Sequence, residues 1–320
     1  MDVSDAAETC AAVMDAVGGA VVADRGFLER VVLGVLARGH VLLEDVPGTG
    51  KTLTARSFAT ALGLEFSRIQ FTPDLLPSDV TGTNVYDEST GEFRFSPGPV
   101  FANVVLADEI NRAPPKTQAA LLEAMEERQV TVDGVTHDLP SPFFVIATQN
   151  PVESEGAFPL PEAQLDRFIV KTSLGYPDVD GEVELLRRRA GRTERSPSVE
   201  PILDGDSVSA LRRTPEDVRV ADDVLEYMAE LSHASRQDHR VEAGVSPRGT
   251  QRLFEAARAR AIIEGREFVT PDDVKRIAQS VLAHRLVLTP DAAVNDVGKD
   301  DVVADVLESV PVPTLESVSE

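Results

Sequence analysis

The sequence has a single cysteine and no tryptophan. Cys10 alone cannot form an internal disulfide, which excludes a small secreted fold held together by disulfides. The five histidines lack the spacing to cysteines or carboxylates that a zinc site requires. No run reaches the roughly 20 apolar residues that cross a bilayer, and the first residues have neither a basic start nor an apolar signal core. We therefore expect a cytoplasmic protein without membrane insertion.

Lysine is also scarce, so arginine carries almost all of the positive charge. The formal net charge is −23, and acidic residues are spread over nearly every segment. This composition is typical of salt-loving microorganisms, and we predict a halophilic archaeal source. At about 1 M salt the Debye length is roughly 3 Å, so the net charge says little about binding partners. It does predict that folding depends on salt.

The most informative stretch runs from Glu44 to Thr52, where an apolar strand meets a glycine turn that ends in Gly-Lys-Thr. Backbone N–H groups of such a turn can cradle phosphate oxygens, the lysine can bind the β- and γ-phosphates, and the threonine hydroxyl can bind Mg²⁺. An ordinary strand-to-helix turn would also fit this stretch. The predicted nucleotide-binding residues are Pro47, Gly48, Thr49, Gly50, Lys51, Thr52 and Leu53.

The loop departs from the usual G-x-x-x-x-G-K-[ST] pattern at one position. Asp45 stands where the first glycine would be. We expect that the anion-binding loop must tolerate a carboxylate near its start.

A second apolar segment, 103–107, predicts a buried strand that ends in Asp108 and Glu109. Ligands of parallel sheets bind outside the carboxyl ends of the strands, so Asp108 is a candidate Mg²⁺ ligand beside Thr52. Glu109 is a candidate to orient the attacking water. Taken alone, the pair could equally cap the next helix.

A third apolar segment, 143–147, leads into Thr-Gln-Asn-Pro at 148–151. Its amide would reach the same sheet edge, which makes Asn150 a candidate to hold the attacking water or to contact the γ-phosphate. A simple Asn-Pro turn is the alternative.

Strand and helix patterns divide the chain in two. Strands alternate with helices up to residue 176, which predicts a parallel α/β sheet. Residues 177–309 predict a small all-helical lid over the nucleotide cleft, joined by a Pro/Arg-rich stretch at 192–201, and 310–320 predict a tail. We also predict two β-hairpins, near 84–99 and 129–139, the second with an Asp-Gly turn. They could be surface hairpins that only cover a sheet edge.

These features together resemble the MoxR family of AAA+ ATPases over roughly residues 20–285. The resemblance rests on sequence stretches at 44–52, 106–118, 147–151, 160–168 and 246–248. It implies a P-loop AAA+ parallel-sheet nucleotide-binding domain followed by a small all-helical lid domain. It also implies that the two hairpins are the helix-2 insert and the pre-sensor-1 hairpin of one AAA+ clade, whose loops face the pore of a ring.

The resemblance assigns roles to single residues. Lys51 and Thr52 resemble the Walker A pair, and Asp108 and Glu109 resemble the Walker B pair. Asn150 is similar to sensor 1.

Two arginines complete this set of roles. Arg167 resembles an arginine finger that reaches the γ-phosphate of a neighbouring subunit, and Arg248 resembles sensor 2 on the lid. An arginine finger supplied by another subunit accelerates phosphoryl transfer by about 10³–10⁵. The alternatives are a surface ion pair of Arg167 with Asp166 or Glu162, and a helix-start position for Arg248. Arg112 is a weaker candidate for an intersubunit contact.

The resemblance implies an enzyme that binds ATP and Mg²⁺, hydrolyses ATP and forms a homo-oligomer, a hexameric ring by analogy. The expected function is chaperone-like remodelling of client protein complexes, with von Willebrand factor A domain proteins as partners. A DNA-associated motor of the same fold is an alternative, but the chain shows no DNA-binding module. A scaffold that binds ATP and barely hydrolyses it is a second alternative.

Overall fold

The computed structural model describes residues 1–151, 157–191 and 197–313. Its central element is a five-stranded sheet, and all four pairings between neighbouring strands are parallel. The central strands are buried on both faces, as is usual for a parallel sheet. The strands are β1 (His40–Glu44), β2 (Phe66–Gln70), β5 (Val104–Asp108), β8 (Phe144–Gln149) and β9 (Phe168–Thr172). Their order across the sheet is β2-β5-β8-β1-β9.

Alternation along β1 divides the core between the two faces of the sheet. Val41 and Leu43 belong to the core cluster on one face, and Leu42 belongs to the cluster on the other face. The helices of this region are α1 (Val3–Ala20), α2 (Arg25–Leu36), α3 (Lys51–Ala61), α4 (Pro77–Thr81), α5 (Pro115–Glu127) and α6 (Glu162–Leu165). Short 3₁₀ helices lie at Pro99–Phe101 and Ile110–Arg112.

Two antiparallel hairpins project from this region, β3 (Gly82–Asp87) with β4 (Glu92–Pro97) and β6 (Gln129–Val132) with β7 (Val135–Asp138). In the second, Asp133 and Gly134 both have positive φ, as a type I′ turn requires. The hairpins lie side by side, because Asn84 Nδ2 donates to Asp133 Oδ2 at 2.8 Å and the rings of Phe95 and His137 stack at 3.9 Å. They therefore form one continuous surface.

The second part of the chain is mostly helical. The sequence predicted only helices here, but the structure adds one short antiparallel pair of strands. Residues 192–196 of the predicted joining stretch lie outside the described residues. The elements are α7 (Val179–Gly191), α8 (Gly205–Leu211), α9 (Asp222–Gln237), β10 (Val241–Ala243), α10 (Pro247–Ile263), α11 (Pro271–Leu282), β11 (Val287–Leu288), α12 (Pro290–Val294) and α13 (Lys299–Ser309), with 3₁₀ helices at Thr214–Asp217 and Ala283–Arg285.

This helical part packs along the β9 side of the sheet and against α1 and α2. His284 Nε2 and Arg285 Nη2 both bond the carbonyl oxygen of Phe168, the first residue of β9. Arg260 of α10 donates to Glu29 of α2 at 2.7 Å. Val310, the first residue of the predicted tail, is buried, and the tail beyond residue 313 is outside the described residues. Within the described ranges, no helix combines the length and apolar character needed to cross a membrane.

Candidate active site

The glycine loop lies between the end of β1 and the start of α3. Gly48 and Gly50 have φ of 89° and 97°, a conformation that is strained for residues with a side chain. A Cβ atom at either position would contact no other atom within 4 Å. Gly50 caps the helix that begins at Lys51. Lys51 Nζ donates to the carbonyl oxygens of Asp45 and Val46, both at 2.9 Å. The lysine side chain therefore reaches back from the first residue of α3 to the start of the glycine loop.

The Asp45 carboxylate does not face this loop. It is 3% exposed and accepts hydrogen bonds from the Ser173 hydroxyl at 2.7 Å and from the N–H groups of Leu174 and Gly175 at 2.8 Å. All three donors belong to the segment that follows β9. The loop does carry this carboxylate near its start, and the three donors of the 173–175 segment bind its charge. Asp45 thus ties the glycine loop to the segment that leads into α7.

Asp108 is the last residue of β5 and is 8% exposed. Its Oδ1 accepts a hydrogen bond from the Thr148 hydroxyl at 2.7 Å. Its Oδ2 accepts two from Arg68, at 2.6 Å from Nη2 and 3.1 Å from Nε. Arg68 is on β2, which pairs with β5 in register. Asp108 is therefore fixed from the strands on both sides of it.

Glu109 has a left-handed backbone, with φ of 57° and ψ of 48°. Such a conformation is uncommon for a residue with a side chain and is often found at functional sites. Its N–H donates to the Thr148 hydroxyl at 2.9 Å, and its Oε2 accepts from Gln70 Nε2 at 2.8 Å and from Arg112 Nη1 at 3.3 Å. The left-handed backbone thus directs the Glu109 carboxylate towards Gln70 of β2, whereas the Asp108 carboxylate bonds Arg68 and Thr148.

Asn150 follows β8 directly and is 6% exposed. The preceding residue, Gln149, pairs with Glu44 in the sheet, and its carbonyl oxygen accepts from the N–H of Asp45 at 3.2 Å. Asn150 therefore lies next to the start of the glycine loop. The predicted residues of the loop, of the β5 end and of the β8 end are brought together at one sheet edge.

Comparisons with known proteins agree with this arrangement. Residues 40–170 match the model of an ATPase family associated with various cellular activities (AAA), and residues 233–306 match an AAA lid domain. The chain is 44% identical to the chaperone MoxR1 of Mycobacterium tuberculosis over 91% of its own length and 79% of that protein, and 33% identical to protein MoxR of Methylorubrum extorquens over 92% of each. The chain belongs to the MoxR family of AAA+ ATPases. An uncharacterized Bacillus subtilis protein, YeaC, is 49% identical over 88% of each chain. The crystal structure of a candidate ATPase from Cytophaga hutchinsonii has a TM-score of 0.90 at 39% identity and covers 97% of this chain and 96% of that one.

The donor set of this MoxR-family chain fits a nucleotide and Mg²⁺. The space around Gly48 and Gly50 at the helix N-terminus is open, and backbone N–H groups there can bind phosphate. Mg²⁺ prefers hard oxygen ligands and usually takes one or two carboxylates together with substrate phosphates and water. Thr52 and Asp108 supply such oxygens. Among the described residues there is no group of three or more His, Cys, Asp or Glu side chains that could hold a metal ion by themselves.

The two predicted arginines, Arg167 and Arg248, lie at the opposite edge of the sheet, where the parallel strands begin. Arg167 precedes β9, whose first residue pairs with His40 at the start of β1, whereas the glycine loop follows the end of β1. Five residues of strand span about 15 Å. Arg167 Nη1 donates to the carbonyl oxygen of Leu122 at 2.5 Å and lies 3.8 Å from Glu126. Its ion pair is with Glu126, whereas the sequence pointed to Asp166 or Glu162.

Arg248 shares that carboxylate. Its Nη2 donates to both Glu126 oxygens, at 2.5 and 2.7 Å, and its Nε lies 3.5 Å from Asp166. The hydrogen bond from Arg248 lowers the pKa of Glu126 below its usual value. Arg167 and Arg248 therefore form one cluster around Glu126, away from the glycine loop of their own chain.

Three residues of the site had no role in the sequence prediction. Thr148 bonds both Asp108 and Glu109, Arg68 pairs with Asp108, and Gln70 holds Glu109. Arg68 and Gln70 are two residues apart on β2, so they share a face of that strand. Polar residues at alternate positions of a short strand were a usable signal for them.

Proposed function

We propose that this MoxR-family chain hydrolyses ATP in a ring oligomer and uses the energy to remodel client protein complexes. The observation that carries the proposal is the separation of Arg167 and Arg248 from the glycine loop by the length of β1. Phosphoryl transfer needs positive charge where negative charge spreads in the transition state. In this proposal a neighbouring subunit supplies it, with six subunits in the ring by family resemblance.

The roles of the residues at the loop edge follow from their contacts. The backbone of the glycine loop and Lys51 bind and orient the phosphates, and Thr52 and Asp108 hold Mg²⁺, which neutralises phosphate charge when bound. Glu109 accepts a proton from the attacking water, and Asn150 positions that water. Thr148 keeps the two carboxylates at fixed positions, since it bonds one side chain and the backbone of the other.

The paired hairpins are the proposed surface for a client or partner. Val85, Tyr86, Phe93 and Val135 are each more than half exposed on β3, β4 and β7. Exposed apolar residues on adjacent hairpins commonly mark an interaction surface. Under this proposal the partner is a von Willebrand factor A domain protein, and stimulation of ATP hydrolysis by such a protein is the expected result. Stimulation by DNA instead would favour the DNA-associated motor.

The first test measures ATP hydrolysis in molar KCl with Mg²⁺ against protein concentration. Specific activity should rise with concentration and fall by at least about 10³ in Arg167→Ala, because the site is completed by a neighbour. Arg187→Ala, an exposed arginine on α7, is the matched control and should keep wild-type activity. Activity that is independent of both concentration and Arg167 would refute the proposal.

A mixing experiment tests directly whether Arg167 of one subunit completes the site of its neighbour. Arg167→Ala and Lys51→Ala should each be inactive alone. In a random 1:1 mixed ring, about one site in four combines an intact loop with an intact arginine, so about a quarter of the activity should return. No recovery in assemblies shown to contain both variants would remove the support for an arginine donated between subunits.

Glu109→Gln separates the enzyme from a scaffold. In an ATPase the variant should retain bound ATP, because the water is no longer activated, and the assembled form should persist for longer. Retained nucleotide after gel filtration is the measurement. Unchanged nucleotide turnover in this variant would favour the scaffold.

A further inference from the structure

A cavity of about 230 Å³ lies at the sheet edge opposite the glycine loop, between the start of β1, the end of α5 and helices α8 and α10. A single water needs only roughly 10–15 Å³ of such space, so the cavity holds more than one or two solvent molecules. Six arginines line it, Arg38, Arg128, Arg167, Arg212, Arg252 and Arg258, with only three carboxylates. In a chain with a net charge of −23, this is a local excess of positive charge.

The three carboxylates already have partners. Glu126 is bound by Arg248, Glu216 pairs with Arg258 at 3.1 Å, and Glu255 pairs with Arg252 at 2.7 Å. In the described parts of the chain, neither Arg128 nor Arg212 has an ion pair with a carboxylate. The described residues therefore do not balance the positive charge of the cavity.

Arg212 is the deepest of these arginines. It is 6% exposed, and its Nη1 reaches the carbonyl oxygen of Phe143 only at 3.5 Å. Its Nε and Nη2 are buried and have no hydrogen-bond partner among the described residues. Buried donors without partners are costly, and a buried charge without a counter-charge is more so.

Backbone contacts hold the like charges close together. Arg128 Nη2 donates to the carbonyl oxygen of Arg38 at 3.3 Å, and Arg38 Nε donates to the carbonyl oxygen of Arg212 at 3.0 Å. Arg38 has a left-handed backbone with φ of 52°. Burial, together with the positive charges of Arg128 and Arg38, lowers the pKa of Arg212 to about 10. A group held in this way favours a bound anion.

We propose that this cavity is an oxyanion site that binds a phosphate-like group at Arg212, with Arg38 and Arg128 as further ligands. Guanidinium groups bind phosphate oxygens through paired hydrogen bonds, and the guanidinium-bearing residues Arg38, Arg128 and Arg212 line the same cavity. The phosphate has two conceivable sources. One is free inorganic phosphate, and the other is the nucleotide of a neighbouring subunit, which rests on the proposed ring.

The first experiment uses Lys51→Ala, so that phosphate binding at the glycine loop does not contribute. The melting temperature is measured against inorganic phosphate concentration, with KCl added to keep the ionic strength constant. It should rise and saturate in Lys51→Ala and in Lys51→Ala/Arg213→Met, whose second change removes the exposed arginine next in sequence. In Lys51→Ala/Arg212→Met the apparent Kd for phosphate should rise at least about tenfold.

Loss of folding is distinguishable from loss of the site. Without phosphate, Arg212→Met should melt at or above the temperature of its parent, because an unpaired buried charge is removed. Arg212→Lys keeps the charge but loses the planar pair of donors, so it should bind phosphate more weakly than the parent and more tightly than Arg212→Met.

The second experiment addresses the nucleotide of a neighbour, with Lys51 intact. ATP-dependent self-association is measured by sedimentation, and Arg212→Met should weaken it at least about tenfold whereas Arg213→Met should not. A phosphate response in the first experiment supports the free ion, and an effect in the second alone supports the neighbour's nucleotide. If Arg212→Met changes neither, or if the phosphate response is the same in both double variants, the proposal is wrong. The first experiment involves no hydrolysis, so its result is independent of the proposed ATPase activity.

Discussion

Replacing Asp45 by glycine would restore the usual first residue of the loop motif, yet we expect it to destabilise the protein. The carboxylate accepts three hydrogen bonds from Ser173, Leu174 and Gly175. Each such bond to a charged group contributes about 1.5–3 kcal/mol. The donors are half-buried or exposed, so bonds to water replace part of the free energy that is lost with these hydrogen bonds. Removing a buried carboxylate also removes its desolvation cost. Asp45 does not have the positive φ that would favour glycine. We expect Asp45→Gly to lower the free energy of unfolding by about 3 kcal/mol.

Urea unfolding followed by circular dichroism in molar KCl measures this loss. Asp45→Asn is the matched control, because its amide oxygen keeps one acceptor while its NH₂ group faces donors, and its loss should be smaller. Nucleotide affinity of both variants shows whether the tie to the 173–175 segment also shapes the loop. An Asp45→Gly protein that is as stable as the wild type would refute the reasoning.

Three further predictions concern the site, the core and the surface. Thr148→Val should lower kcat at least about tenfold and change nucleotide affinity little, because it frees Asp108 and Glu109 without touching the loop; an equal loss in affinity would contradict this. Buried His40 accepts from the N–H of Val145 and bonds the carbonyl oxygen of Met125, and burial lowers its pKa to about 3. Since its unfolded pKa is near 6.5, stability should be full above that pH and fall as pH drops towards 3, by about 2 kcal/mol at pH 5. Urea midpoints at pH 7 and 5 should show a smaller drop in His40→Asn, and an equal drop would refute the assignment. The melting temperature should rise between low and molar KCl, and an unchanged value would contradict the predicted adaptation to salt.

The sequence predicted the parallel sheet and the meeting of the loop with Asp108 and Asn150, because those features depend on local patterns. Strand alternation and turn residues identify the elements, and the carboxyl ends of parallel strands must share an edge. The course of the Asp45 side chain could not be predicted, since its partners lie some 130 residues later in the chain. The same holds for Arg248 and Glu126, and for the arginine cavity, which five distant segments assemble.

The sheet gives the molecule a direction, because its strands all point from the Arg167 edge towards the Lys51 edge. A contact that brings the first edge of one molecule to the second edge of another joins unlike surfaces. A two-fold dimer cannot be built from such head-to-tail contacts, so each molecule binds a further one. If the rotation between neighbouring molecules closes, the result is a ring, and if it does not, the result is an open helical filament. A molecule with one defective edge can still accept a neighbour on its sound side. A small fraction of such a variant would then terminate growing assemblies, and it would reduce assembly by more than its share of the mixture.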